Sequence, residues 1–183
     1  MLVLVVGPSG AGKDSLLDGA RAALAGDARF HFVRRVITRP ASAGGEAHEA
    51  ATDAEFLSRR AAGGFALDWQ AHGLRYGIPA DIAADLAQGR VVVANVSRTV
   101  IDAARARFPT RVIEITAPAE ILARRLAARG REPAADIAER IARHMPVPPA
   151  ADVETVMNDA SLEAGIAGFV AALIRATQSV RQS

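Results

Sequence analysis

The chain has 183 residues, half of them hydrophobic, and a formal net charge of only +2, which fits one compact domain with a substantial core. It contains no cysteine, which excludes a disulfide framework and any thiolate metal site. The sequence shows no basic leader, no cleavage site and no apolar stretch long enough to cross a bilayer, so the expectation is a cytoplasmic protein with no membrane role.

In chain order, "LVLVV" (2–6) is a continuous apolar run of strand length, the pattern of a central parallel strand covered on both faces. "KDSLLDGARAALAG" carries apolar residues at helical spacing and ends in Gly26. "FHFVRRVI" (30–37) reads as a second strand, and "TRPASAGGEAHEA" (38–50) as a loop without periodicity. Thr52 to Glu55 spells a capping box that opens a short helix. "FALDWQAHGLRYG" (65–77) suggests a hairpin turning near His72 and Gly73. Pro79 starts and Gly89 stops the next helix. "VVVAN" (91–95) and "RVIEIT" (111–116) are strands, Pro118 to Gly130 is a helix, and an Arg-rich helical segment runs on to about His144. "PVPP" (146–149) breaks the chain before a last strand at 153–158 and a closing amphipathic helix at 161–177. Strands alternating with helices imply an α/β protein with a central parallel sheet flanked by helices. The expected layout is one domain, with a core at 1–33 and 79–183, an inserted lobe at about 34–78 and an Arg-rich lid at about 129–146.

The segment "GPSGAGK" between strand and helix fulfils G-x-x-x-x-G-K in the context that phosphate-binding loop requires. Its glycines let backbone N–H groups converge on a phosphate, and the helix start adds about half a positive charge. Gly7, Pro8, Ser9, Gly10, Ala11, Gly12 and Lys13, with Asp14 and Ser15 after them, are therefore the candidate ATP site. Of 22 basic side chains 21 are arginine, and the lone lysine is Lys13. A compact ammonium on a flexible stem enters a tight loop between phosphates where a planar guanidinium does not fit. Lys13 is the candidate catalytic cation.

Asp14 breaks the pattern, because a Ser or Thr there would give magnesium a neutral oxygen. A carboxylate about 4 Å from a phosphate is repelled by roughly 4 kcal/mol at an effective dielectric of 20, and the helix dipole returns only about 1 kcal/mol. Asp14 must meet a cation or point away. The end of strand 91–95 has Asn95 and Ser97 and no acid. The reading is that the site's carboxylate has moved from that strand end to Asp14, which becomes the candidate magnesium ligand. Ser15 faces another direction on the helix. Further on, Arg124, Arg125, Arg129, Arg131, Arg140 and Arg143 gather in one segment, as phosphoryl transfer requires of a closing, cationic flap.

The segments "GPSGAGK", "ITRP…GE", "F…YG", "RRLAARG" and "NDASLE" resemble the guanylate kinase superfamily, in that order and over nearly the whole chain. The resemblance implies a P-loop NTPase fold. It implies that Arg39 and Tyr76 bind the acceptor's phosphate, that Arg129, Arg131 and Arg140 serve the lid, and that Asn158 and Asp159 lie against adenine. Counted back from "YG", the guanine-reading positions hold Gln70 and Ile78, which remove the paired acceptors that guanine's adjacent donors need. A narrower set, "GKDS", "ITRP…GGE.H", "FAL.W.A.GL.YG" and "V.N.SR", resembles the ribose 1,5-bisphosphate phosphokinases of phosphonate breakdown. That resemblance implies transfer of the ATP γ-phosphate to a doubly phosphorylated pentose, giving 5-phosphoribosyl 1-diphosphate.

Such an acceptor needs extra cations, for which Arg35, Arg39, Arg75 and Arg98 are candidates, with Glu46 orienting an arginine or the sugar. Trp69 reads as lobe core, His72 as a turn residue and His48 as loop surface. The rivals are a guanylate kinase with altered base contacts and a non-catalytic binding module that retains the same fold. A nucleic-acid role has little support, because the positive charge is dispersed among acids and aromatic content is 4%.

Overall fold

The structure, a computed structural model, describes residues 1–43, 46–128 and 146–179. The expected lid arginines Arg129, Arg131, Arg140 and Arg143 lie outside the described residues.

The main sheet is formed by β1 (Leu2–Val6), β2 (Phe30–Phe32), β7 (Val91–Asn95), β8 (Thr110–Thr116) and β9 (Val153–Met157), in the order β2-β7-β1-β8-β9 and all parallel. β1 and β7 are buried at every position, which explains their unbroken apolar runs. Strand alternation divides β1 between two cores. Val3 and Val5 pack with Leu16, Leu17 and Ala20 of α1 (Lys13–Ala23) and with Phe169 and Leu173 of α6 (Leu162–Ser179). Leu2, Leu4 and Val6 pack on the other face, with Ile82 of α3 (Ile82–Ala87), Ile101 of α4 (Ile101–Arg105), and Leu67, Trp69 and Ile78. α5 (Ala119–Ala128) follows β8.

The inserted lobe is a second sheet of β3 (Val36–Ile37), β4 (Glu49–Ala50), β5 (Phe65–Ala71) and β6 (Leu74–Pro79), in the order β4-β3-β6-β5. The hairpin of β5 and β6 turns where the sequence places it, with His72 at φ 51° and Gly73 at φ 73°. Thr52 and Glu55 form the capping box of α2 (Asp53–Ala61), whose Phe56 stacks on Phe65 at 4.5 Å between centroids.

Several boundaries differ from the sequence reading, and the segment 38–50, read as loop, ends in the short strand β4. The run 30–37 is two strands, because Phe30–Phe32 pairs with β7 in the main sheet while Val36–Ile37 pairs with β6 in the other. Residues 33–35 cross between the sheets and carry Arg35 to their junction. Pro79 ends β6 instead of opening a helix; it pairs with Phe65, and the helix begins at Ile82. α1 closes at Ala23, where the N–H of the capping Leu24 reaches the carbonyl of Ala20, short of Gly26.

Edge strand β2 is pinned to α3 by Asp85. One oxygen of Asp85 meets Nδ1 of His31 at 2.5 Å, and the other accepts from Nη1 of Arg90 at 2.5 Å. Burial alone would push the Asp85 carboxyl up, but the bonds from His31 and Arg90 outweigh it and hold it below the usual carboxylate range. A carboxyl depressed in the folded state contributes stability above its unfolded value and loses it as the pH falls through the folded one. Asp85→Asn is therefore expected to lower the melting temperature near neutral pH and to flatten the loss of stability below about pH 4, measured by thermal melts across pH. An acid limb of unchanged slope would remove Asp85 from this role.

Candidate active site

The phosphate loop leaves the buried end of β1 at Gly7. There φ is 142°, and a methyl group would lie 2.0 Å from the carbonyl oxygen of Ile115, so the loop exits against β8 with no room for a side chain. It closes at Gly12, the residue capping α1, at φ 86°. No side chain caps the first turn of α1, so its leading N–H groups face the loop. Nζ of Lys13 folds over the loop and donates to the carbonyls of Gly7 at 2.8 Å and Pro8 at 2.9 Å.

The loop forms one end of a cavity of about 340 Å³. Gly7, Ser9, Gly10, Gly12, Lys13 and Asp14 contribute from the loop side. Arg35, Trp69, Tyr76 and Arg98 contribute from the lobe and from the segment after β7. Pro8 and Ala11 are buried behind the loop, and Ser15 is exposed away from the cavity. Trp69 and Tyr76, paired across the hairpin, stack at 5.3 Å and 6° between planes, so Trp69 is both core and cavity wall.

Asp14 does point sideways, toward the end of β7. Nδ2 of Asn95 donates to Asp14 Oδ1 at 3.2 Å and to Glu46 Oε2 at 3.1 Å. Glu46 in turn grips Arg35, accepting from Nε at 2.7 Å and meeting Nη2 at 2.5 Å. This two-point grip fixes the guanidinium in a way a single contact would not. Its carbon lies 5.2 Å from the Tyr76 ring centre and 5.8 Å from that of Trp69. Glu46 thus orients an arginine.

Other candidates lie elsewhere. Nε of Arg75 donates to Asp53 at 2.9 Å, on the far side of the lobe. Arg39 borders a separate hollow with Thr38, Pro40 and Thr52, and its buried Nε has no hydrogen-bond partner among the described residues. The loop-surface reading of His48 does not hold: the residue is 3% exposed, with Nε2 3.0 Å from the carbonyl oxygen of Arg39 and Nδ1 3.0 Å from that of Glu46 and 3.3 Å from Nη2 of Arg39. Gln70 is exposed and outside the cavity, because strand alternation turns Trp69 and Ala71 inward instead. Ile78 is fully buried beneath the lobe. The side chain of Asn158 supports the loop from behind, its Nδ2 donating to the carbonyl of Ala11 at 2.7 Å.

Two residues beside the loop have no individual role in the sequence reading. Glu114 is 4% exposed in β8, borders the cavity, and both its oxygens accept from the N–H of Val147, at 3.2 and 3.3 Å. Its signal is a carboxylate inside the apolar run "RVIEIT". Arg125 reaches back from α5, and a methyl group on Gly12 would lie 3.9 Å from its Nη1, a buried nitrogen with no hydrogen-bond partner among the described residues.

A guanylate kinase from Anaplasma phagocytophilum has the same fold: its structure superposes over 97% of this chain and 85% of its own, with a TM-score of 0.61 and 21% identity. No protein-family model matches the chain. The ribose 1,5-bisphosphate phosphokinase PhnN of Methylobacterium radiotolerans is 52% identical over 173 residues, 94% of this chain and 96% of that protein. The chain belongs to the ribose 1,5-bisphosphate phosphokinase family. A further relative is the bifunctional ribose 1,5-bisphosphokinase-thymidine phosphorylase of Cupriavidus necator, 55% identical over 177 residues. The chain spans 29% of that longer protein.

For this family member, Asn158→Ala leaves the Ala11 carbonyl without its buried donor. The expected result is a melting temperature lower by about 2 °C or more, measured by thermal unfolding. An unchanged melting temperature would mean that Asn158 does not brace the loop.

Proposed function

We propose that the chain transfers the γ-phosphoryl group of ATP to the 1-phosphate of ribose 1,5-bisphosphate, releasing ADP and 5-phosphoribosyl 1-diphosphate, as in phosphonate breakdown. The observation that carries this reading is the cavity in which the phosphate loop faces Arg35, Tyr76 and Arg98, in a chain of this family. An oxygen of the acceptor's 1-phosphate attacks the γ-phosphorus as the bond to the β–γ bridging oxygen breaks, and ADP leaves with that oxygen. The nucleophile is already anionic, so no general base is needed and positioning carries the rate.

In this reading the loop N–H groups and Lys13 hold the nucleotide phosphates. Lys13 exchanges the carbonyls of Gly7 and Pro8 for phosphate oxygens, and Arg125 stands beside Gly12 with a donor to offer. Arg35 and Arg98 take the acceptor's anionic groups, and Tyr76 with Trp69 forms the wall behind the sugar. Arg39 and Arg75 are set apart from this cavity and stand as outer contributors to the lobe's positive charge. The lid arginines Arg129, Arg131 and Arg140 are assigned by family resemblance alone.

Magnesium fits the donors present. Asp14 offers a carboxylate to the cavity beside the loop. Among the described residues no three acidic or histidine side chains gather into a cage. One carboxylate with substrate phosphate oxygens is an ordinary magnesium environment. Asp14 would hold the ion, which when bound neutralises charge on the transferred phosphoryl group.

GMP is a poor fit. Among the described residues that the lobe lends to the cavity (Arg35, Trp69, Ala71, His72 and Tyr76) there is no carboxylate to accept from guanine. Two missing charge-assisted hydrogen bonds correspond to a factor of about 100 or more. ADP release should therefore show kcat/KM for ribose 1,5-bisphosphate above that for GMP by at least about that factor. A protein that prefers GMP is a guanylate kinase, and the proposal fails. In the same assay Asp14→Ser should raise the half-saturating magnesium concentration by at least about tenfold; an unshifted titration takes Asp14 out of the metal site.

A further inference from the structure

We propose that Asn95 is a positioning residue that couples occupancy of the phosphate loop to the geometry of the acceptor lobe. Three separate parts of the chain meet at its side chain. Asn95 ends β7 and is 8% exposed, one strand over from the loop, with Val5 as its register partner. Asp14 belongs to the first turn of α1, and Glu46 to the lobe's loop between β3 and β4.

A primary amide is the side chain this junction needs. Two ionised carboxylates can only accept, and each requires a donor that adds no charge of its own sign. The amide nitrogen carries two hydrogens, and both acids lie within reach of that one atom, at 3.2 and 3.1 Å. An aspartate at 95 would place three acids together, and an aliphatic residue would leave two facing each other with no donor between them. The amide therefore holds the loop side and the lobe side at a fixed separation.

From Glu46 the contacts continue without a gap. Both Glu46 oxygens engage Arg35, and the Arg35 guanidinium lies against Tyr76 and Trp69, all three in the main cavity. An anion or cation arriving at the loop acts first on Asp14, the charged end of this series. Whatever displaces Asp14 changes the hydrogen bond that Asn95 shares with Glu46, and with it the seat of Arg35. By linkage the effect runs equally in the other direction, so filling the lobe tightens the loop's hold on nucleotide. The coupling of the two substrates rests on the proposed phosphoryl transfer, whereas the response of the lobe to ATP alone does not depend on the acceptor's identity.

Trp69 is the only tryptophan in the chain and lies at the lobe end of the series. Its emission can be followed while ATP is titrated into the full chain, with and without magnesium, and binding is measured in parallel by calorimetry. The wild type should show an emission change on binding ATP. Asn95→Ala and Glu46→Gln should bind ATP but lose most of that change. Both variants should also raise the acceptor's KM by about tenfold while leaving the dissociation constant for ATP alone within about threefold of the wild type. Glu46 does not border the main cavity, so Glu46→Gln tests the coupling even if Asn95→Ala folds poorly. A full emission response in Glu46→Gln, or none in a wild type that binds ATP, overturns the coupling and leaves the phosphoryl-transfer reading standing. A wild type that binds no ATP ends both.

Discussion

One amide nitrogen stands between two carboxylates at the point where the phosphate loop meets the inserted lobe. A P-loop kinase must concentrate positive charge around a polyanion, yet this chain places an acid, Asp14, directly after the loop's lysine. An unscreened acid beside phosphate would cost several kcal/mol even at a generous effective dielectric. The structure resolves this by turning Asp14 toward Asn95, whose neutral donor satisfies one oxygen and leaves the carboxylate bordering the cavity. The remaining site geometry is arranged around that solution: Glu46 shares the same amide, and Arg35 is held by Glu46.

The division of labour between the two sheets follows from it. The parallel sheet supplies rigidity, with β1 and β7 buried throughout and the loop braced from behind by Asn158. The small mixed lobe presents a few side chains on one face of its hairpin to the cavity. Its smallness makes it dependent on neighbours. Its own apolar cluster is Val36, Phe56 and Phe65, so the position of its cavity face relies on Trp69 and Ile78 packing onto the main sheet and on the polar contact through Asn95. A lobe attached in this way can respond to what the loop holds.

Much of this was legible in the sequence where the signal is local. The glycines at 7, 10 and 12, the capping box at Thr52 and Glu55, and the turn at His72 and Gly73 each state their backbone conformation within a few residues. Contacts between distant segments were harder to read. Asp14, Glu46 and Asn95 are separated by 81 and 49 residues in their pairings, and no spacing rule links them; the sequence marked Asp14 as anomalous and Asn95 as lacking an acid, without showing that they touch. Glu46 contacts an arginine, Arg35, while Arg39 and Arg75, which share its charge, lie away from the main cavity, because charge alone does not say which way a strand turns a side chain. His48 reads as exposed because it is a polar residue in a glycine-rich loop, while here the ring is buried against the carbonyls of Arg39 and Glu46. Counting from Tyr76 to Gln70 failed for a related reason: alternation along β5 faces Trp69 inward and Gln70 outward.

The central claim is that loop and lobe act as one unit on a doubly phosphorylated pentose. Calorimetric binding of ribose 1,5-bisphosphate, with and without a non-hydrolysable ATP analogue and magnesium, tests it most directly. The dissociation constant should fall by at least about fivefold when the analogue is bound. Equal affinity in both conditions, or no binding of the sugar bisphosphate at all, would contradict it.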